Sequence, residues 1–331
     1  MQESEAKIKR VVVIGGGTGS FVVLTGLKVY PLQITAVITT MDSGGSTGRL
    51  RDQLGVLPPG DLRQALVALS DSEKIWRDLF TYRFENGDLA GHNFGNIFIS
   101  ALEKITGSFE SAIELAAYIL DTKGNVLPVT TSTSEICALL KNGKVIKSEK
   151  LIDDPDLLPS PIQELYLDKP AFPNPRALRA IKQADFIIFG PGDVYTSIVP
   201  NFLVSDVTRV IRSSKAKKIY IANLMTKKMH TAKMGVKEHI DIIESYLGSK
   251  IDYVLLNKEK IPAKLAKWYK KTADSEPVID NLEAGSSYRV IKGDFVNNVV
   301  FEQSVADRVK RSVLRHDSKK LATELYKIFI G

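Results

Sequence analysis

The stretch VVVIGGGTGSF, Val11 to Phe21, decides how the chain is read. Four consecutive β-branched residues, Val11 to Ile14, fit a strand buried on both faces. The run breaks at Gly15, Gly16 and Gly17, and after Thr18, Gly19 and Ser20 the apolar residues return at helical spacing. That is a strand, a glycine loop and a helix start. Amides at a helix start point outward, and the helix dipole favours an anion there. Glycines let a phosphate approach the main chain. A dinucleotide fingerprint wants G-x-G-x-x-G and an acidic residue after the second strand. Gly15 and Gly17 fit and Asp42 is well placed, but Ser20 stands where the third glycine belongs. A Walker loop is excluded, because no lysine follows the glycines. A tight turn without any ligand is the plain alternative.

Outward from this loop, strand-like and helix-like segments alternate for most of the chain. The pattern predicts strands over Lys7–Ile14 and Gln33–Ile38, with a helix over Ser20–Lys28 between them. Helices follow over Pro59–Ser70 and over the stretches GNIFISALEKITG and SFESAIELAAYIL. Asn142 and Gly143 in CALLKNGKVIKSE signal a hairpin, an antiparallel interruption. Asp153 to Pro175 reads as loop around one short strand, IQELYLD. Then come a DFIIFG strand, a PGDVYTSIVPN loop, an FLVSDVTRVIRSS helix, a KKIYIANL strand, a KEHIDIIESYL helix, an IDYVLLN strand and a closing helix over Ser318–Ile330. The expected fold is α/β: a Rossmann-like, mostly parallel sheet with helices on both faces and an inserted antiparallel hairpin region. One domain over 1–331 is expected, with the insertion at about 126–175.

Bulk properties narrow the function. A chain of 331 residues can bury a large core without disulfide or metal staples. The one cysteine, Cys137, cannot form an internal disulfide, and four histidines at no zinc spacing argue against a structural metal. No window has the ~18 apolar residues of a membrane span, and MQESEAKIKR lacks a secretory apolar stretch, so a cytoplasmic protein is expected. The net charge of +7 favours anionic partners. The lysines are not interleaved with aromatics at stacking spacing, which argues for a solvated surface over specific nucleic-acid binding.

Four more loops resemble the first in composition. TTMDSGGSTGRLR holds Asp42, Ser43, Gly44, Gly45, Ser46, Thr47, Arg49 and Arg51. Its amides and hydroxyls can donate to phosphate oxygens, its arginines can grip them, and Asp42 can take a ribose hydroxyl or a magnesium ion. In LPPGDLRQ, Asp61 and Arg63 follow a proline-fixed turn, where a helix cap and a surface partner are the simpler roles. GHNFGNIF sets His92, Asn93 and Asn96 between glycines. GPGDVYTSIVPN offers Gly190, Gly192, Tyr195, Thr196 and Ser197 after a strand, and Asn223 ends another strand. Together they suggest one ligand site at the carboxyl end of a sheet. No serine–histidine–acid order marks an activated nucleophile.

In order along the chain, GGGTGS, MDSGGSTGRLR, LPPGDLRQALVALS, GHNFGNIF, GPGDVYTSIVPN and NLMT resemble the motifs of the gluconeogenesis factor family (YvcK-like). That family sits within the CofD-like superfamily named for 2-phospho-L-lactate transferase, and the likeness runs from about Lys9 to LRHDSKKLA. The resemblance implies a regulatory protein that binds UDP-sugars such as UDP-N-acetylglucosamine and influences cell-wall precursor supply and cell shape, through a protein partner. It implies that Tyr269 and Arg315 complete the UDP-sugar site. The transferase members imply the alternative, a magnesium-dependent phospholactyl-type transfer to a deazaflavin acceptor. Many relatives carry a second aspartate where this chain has Ser43, which weakens the magnesium reading. No cofactor is required by the sequence itself, and magnesium, homodimerisation and a nicotinamide enzyme stay open.

Overall fold

The computed structural model describes residues 8–283, 285, 287–297 and 313–331. Lys7, the expected start of the first strand, lies outside them, as does most of the amino-terminal decapeptide. Among the described residues ten strands form two sheets. β1 (Lys9–Gly15), β2 (Leu32–Ile38), β3 (Asn125–Pro128), β7 (Phe186–Phe189), β8 (Lys217–Ile221), β9 (Tyr253–Asn257) and β10 (Arg289–Gly293) make the larger one. Its order is β10-β9-β8-β7-β1-β2-β3, and every pairing is parallel. β4 (Ile136–Leu140), β5 (Val145–Lys147) and β6 (Ile162–Leu167) make an antiparallel sheet with β4 in the middle. The expected hairpin is its β4–β5 turn, where the Asn142 side chain accepts the Lys144 N–H at 3.1 Å. The interval 126–175 begins inside β3, which belongs to the parallel sheet.

Side chains alternate along each strand, so the β-branched run of β1 serves two cores at once. Val11 and Val13 join Ile34, Ala36 and Ile188 beneath the helices Thr18–Leu27, Gly60–Leu69 and Ser318–Ile330. Val12 and Ile14 join Ile187, Phe189 and Tyr220 under Pro175–Gln183, Val207–Ser213 and Val236–Leu247. Ile136, Ala138 and Leu140 of β4 pack into that second core, so the antiparallel sheet is seated on this face. Among the described residues no helix is long and apolar enough to cross a membrane.

Three expectations need correction. TTMDSGGSTGRLR is not only a turn, because Gly45–Leu54 is a helix. Asp42 Oδ1 accepts the Gly44 N–H at 2.9 Å and sets the entry, Leu50 is buried, and Gly55 at φ +64° ends the element. Likewise PGDVYTSIVPN is not loop throughout. The Asp193 carboxylate caps a π-helical turn, Val194–Ile198, which runs into the helix Val199–Leu203 with Pro200 in its first turn. The single helix expected next is broken at Asp206, whose φ of +62° lies outside the helical region.

Candidate functional site

From β1 the chain winds outward through β2 to β3, and from β7 it winds the other way through β8 and β9 to β10. The direction reverses between β1 and β7. A parallel sheet opens a crevice at such a switch point, outside the carboxyl ends of its strands. Gly15 ends β1, Thr39 follows β2, Gly190 follows β7 and Ala222 follows β8, so the loops with unusual composition share one edge.

The glycine loop and the β7 loop touch directly. A Cβ on Gly19 would lie 1.6 Å from the Pro191 carbonyl oxygen, so only glycine fits there. A Cβ on Gly17 would lie 2.3 Å from both Asp61 Oδ1 and Gln64 Nε2, which puts the Gly60–Leu69 helix start against the same loop. Asn201 ties the underside together, donating to the Ser197 carbonyl at 2.9 Å and to the Gly15 carbonyl at 3.4 Å. The first intrahelical donor is Phe21 N–H, to Gly17, so the preceding amides of the turn have no helical acceptor. Ser20 itself is fully buried, its hydroxyl packed beneath Gly15.

The second loop is placed beside the first. Asp42 Oδ2 and Thr47 Oγ1 approach Gly60. Ser46 Oγ accepts the Asn93 N–H at 3.2 Å and pairs with His92 Nδ1 at 3.2 Å. Burial, with the Arg49 and Arg83 guanidiniums, holds His92 below its ordinary range, which favours the neutral ring. Asn93 caps the Phe94–Thr106 helix. Arg63 is buried beneath, donating to Asn96 Oδ1 at 2.8 Å and to the Phe80 carbonyl at 3.0 Å, while Asn96 donates to Thr47 Oγ1 at 3.3 Å. Arg49 donates twice to the Ala90 carbonyl. Arg63, Asn93 and Asn96 thus support the loop from below.

A charged cluster that the sequence reading did not single out closes the opposite wall. Asp193 accepts the Tyr195 and Thr196 amides at 2.9 Å, contacts His230 Nδ1 at 3.0 Å and lies 3.4 Å from Lys227 Nζ. Burial pushes its carboxyl up, but His230 and Lys227 outweigh burial and hold it well below the usual carboxylate range. Lys227 also pairs with Asp153, and Thr196 Oγ1 donates to Asp153 at 3.1 Å. Burial lowers the Lys227 ammonium, yet Asp193 and Asp153 leave it raised. His230 Nε2 lies 2.7 Å from the Ile152 carbonyl. Next to Asp153 on the same short helix, Glu149 accepts the Ser43 N–H at 3.1 Å. Burial, then the Asp42 and Asp153 charges, push its carboxyl well above the usual range. Burial first, then Tyr246 and Asp193, push the Tyr195 hydroxyl to about 12. Asp193 lies inside GPGDVYT and Lys227 and His230 follow NLMT, but nothing in the sequence links them to one another or to Glu149 and Asp153.

Asn223 donates to the Gly192 carbonyl at 2.8 Å and accepts from the Tyr220 hydroxyl at 3.3 Å, linking the β8 and β7 loops. The carboxyl-terminal pair comes in on this side. Tyr269 is buried with Leu224 and Leu314, and its hydroxyl accepts the Leu314 N–H at 2.8 Å, one residue before Arg315. His316 Nε2 donates to the Ala222 carbonyl at 3.1 Å. Tyr269 therefore sits behind the Arg315 segment, with its ring in a small core. Among the described residues no three histidine, cysteine or acidic side chains converge to hold a metal ion.

The arrangement offers amide donors from two helix starts beside carboxylate acceptors, Asp42 and Asp61. Comparisons with known proteins agree on the family of the chain. The 2-phospho-L-lactate transferase CofD family model matches residues 11–296. The gluconeogenesis factor of Bacillus subtilis is 36% identical over 319 residues, 96% of this chain and 96% of that protein. That of Listeria monocytogenes is 41% identical over 259 residues, 77% of this chain and 80% of that protein. An X-ray crystal structure of a Bacillus halodurans protein superposes with a TM-score of 0.87 at 36% identity, covering 97% of this chain and 100% of that one.

Proposed function

The chain belongs to the CofD family and, within it, to the gluconeogenesis factors, and from that premise we propose that it is a cytoplasmic regulatory protein that binds a nucleotide sugar of the UDP-N-acetylglucosamine type. The observation that carries this reading is the mixture of groups at the β1–β7 crevice. Amides at the starts of Thr18–Leu27 and Gly45–Leu54 suit a diphosphate. Asp42 and Asp61 beside them are acceptors, suited to ribose or sugar hydroxyls. A ligand both anionic and rich in hydroxyls uses both sets. The loops Gly15–Ser20 and Asp42–Arg49 hold the diphosphate, Gly190–Thr196 and Asn223 form the far wall, and Arg315, backed by Tyr269, completes the base or sugar side. Bound ligand shifts a conformational equilibrium that a partner protein reads, which requires unequal affinity for the two states. Through that partner the protein influences cell-wall precursor supply and cell shape.

The match to a transferase family model favours one second reading, phospholactyl-type transfer to a deazaflavin. Calorimetric titration with UDP-N-acetylglucosamine, with and without magnesium, separates the two. Micromolar-range binding is expected, lost in Arg315→Ala while that variant melts as wild type does. No heat with any UDP-sugar would sink the regulatory reading, and turnover with a deazaflavin acceptor would replace it.

A further inference from the structure

The helix Ala263–Ala273, AKLAKWYKKTA, has two unlike faces. Tyr269 is buried against Leu314, and Leu265 packs on the same small cluster. By 3.6-residue geometry Lys264, Lys267, Trp268 and Lys271 fall within roughly 100° of the circumference on the other side. All four are exposed, Trp268 at 46%. Lys270, off that stripe, pairs with Asp274 and Glu276, whereas among the described residues Lys264, Lys267 and Lys271 make no ion pair. The Trp268 ring stands edge-on to Tyr269, centroids 5.0 Å apart, and its indole N–H has no hydrogen-bond partner among the described residues. Lys258 and Lys260 add charge just before the helix.

We propose that this face is a peripheral docking surface for an anionic lipid bilayer, with the three lysine ammoniums on headgroup phosphates and Trp268 at the interface. Clustered lysines on an amphipathic helix are drawn to anionic leaflets, and tryptophan, apolar with one donor, settles at headgroup depth. Single-stranded nucleic acid fits less well. The stripe has one aromatic and no second ring to stack a neighbouring base, and the helix has no arginine for bidentate phosphate contacts. The inference does not depend on what the β1–β7 crevice binds.

The chain has two tryptophans, so Trp76→Phe leaves Trp268 as the sole indole reporter. That protein is mixed with phosphatidylcholine vesicles with and without phosphatidylglycerol. A blue-shifted emission and co-sedimentation are expected with the anionic vesicles only, and both are lost at high salt. At about fivefold in partition per lysine, Lys264→Glu with Lys267→Glu and Lys271→Glu should weaken binding about a hundredfold or more. Circular dichroism of that triple variant is expected to match wild type, since all three side chains are exposed. No shift with anionic vesicles, or a shift that the triple variant keeps, overturns the proposal. So does a single-stranded oligonucleotide that produces the lysine-dependent shift when the vesicles do not.

Discussion

Gly19 shows how little room the site leaves at single positions. In Gly19→Ala the new methyl would collide with the Pro191 carbonyl, and neither backbone can retreat without moving its loop. A loss of about 1–3 kcal/mol is expected from overpacking, read by urea denaturation, together with weakened nucleotide-sugar binding. Glu149 makes a prediction of opposite sign. Its folded carboxyl titrates above the unfolded one, so raising pH ionises the unfolded chain first and stability falls across that window. Glu149→Gln still accepts from Ser43 and cannot ionise. It should melt higher than wild type at neutral pH, and the gain should vanish once pH falls below the ordinary glutamate range. A variant that melts lower at neutral pH would refute the assigned burial effect. At this scale the glycines, Asp42 and Asp61 were legible because their neighbours in sequence share their role. Asp193, Lys227 and Asp153 were not, since each acquires its meaning from a residue dozens of positions away.

Elements were legible where periodicity was strong and obscured where glycine or brevity masked it. The strands around VVVI, TAVI, FIIF and KIYI follow from β-branched runs, and the closing helix lies at Ser318–Ile330 as expected. Gly45–Leu54 reads as turn because three glycines and two serines surround its start, and its helix rests on the Asp42 turn and the burial of Leu50. β3 and β10, at 4 and 5 residues, carry too few apolar positions to stand out, and pairing with a neighbour decides them. His316, just before the last helix, joins two elements by donating to the residue that follows β8. Burial lowers it to about 4, so it stays neutral when folded while the unfolded ring titrates near 6.5. Its contribution is present above pH ~6.5 and is lost as pH falls toward 4, roughly 3 kcal/mol over that window. His316→Gln keeps a donor without the titration. Denaturation curves should show the variant retaining about that much more of its stability on acidification, and parallel pH profiles would refute the assignment.

At the scale of the whole molecule, alternating strands and helices pointed to the parallel sheet, and the loop compositions to one shared edge. What they could not convey was order: that β1 lies between β2 and β7, placing the glycine loop at the switch point, follows from pairing across the sheet. That same position of β1 has a consequence for how the protein is made. Val11 meets Ile34 soon after emerging from the ribosome, but its other partner, Phe186, is not yet synthesised. At about 5–20 residues per second, the open edge of VVVI waits on the order of ten seconds or longer for β7. The helix that packs on the Val11 and Val13 face of the sheet, Ser318–Ile330, comes later still. The nascent chain therefore carries an apolar strand paired on one edge only for roughly half of its translation, a substrate for chaperones and for mispairing. Slower decoding between β3 and β7 should lower the yield of folded protein more than slower decoding after β8.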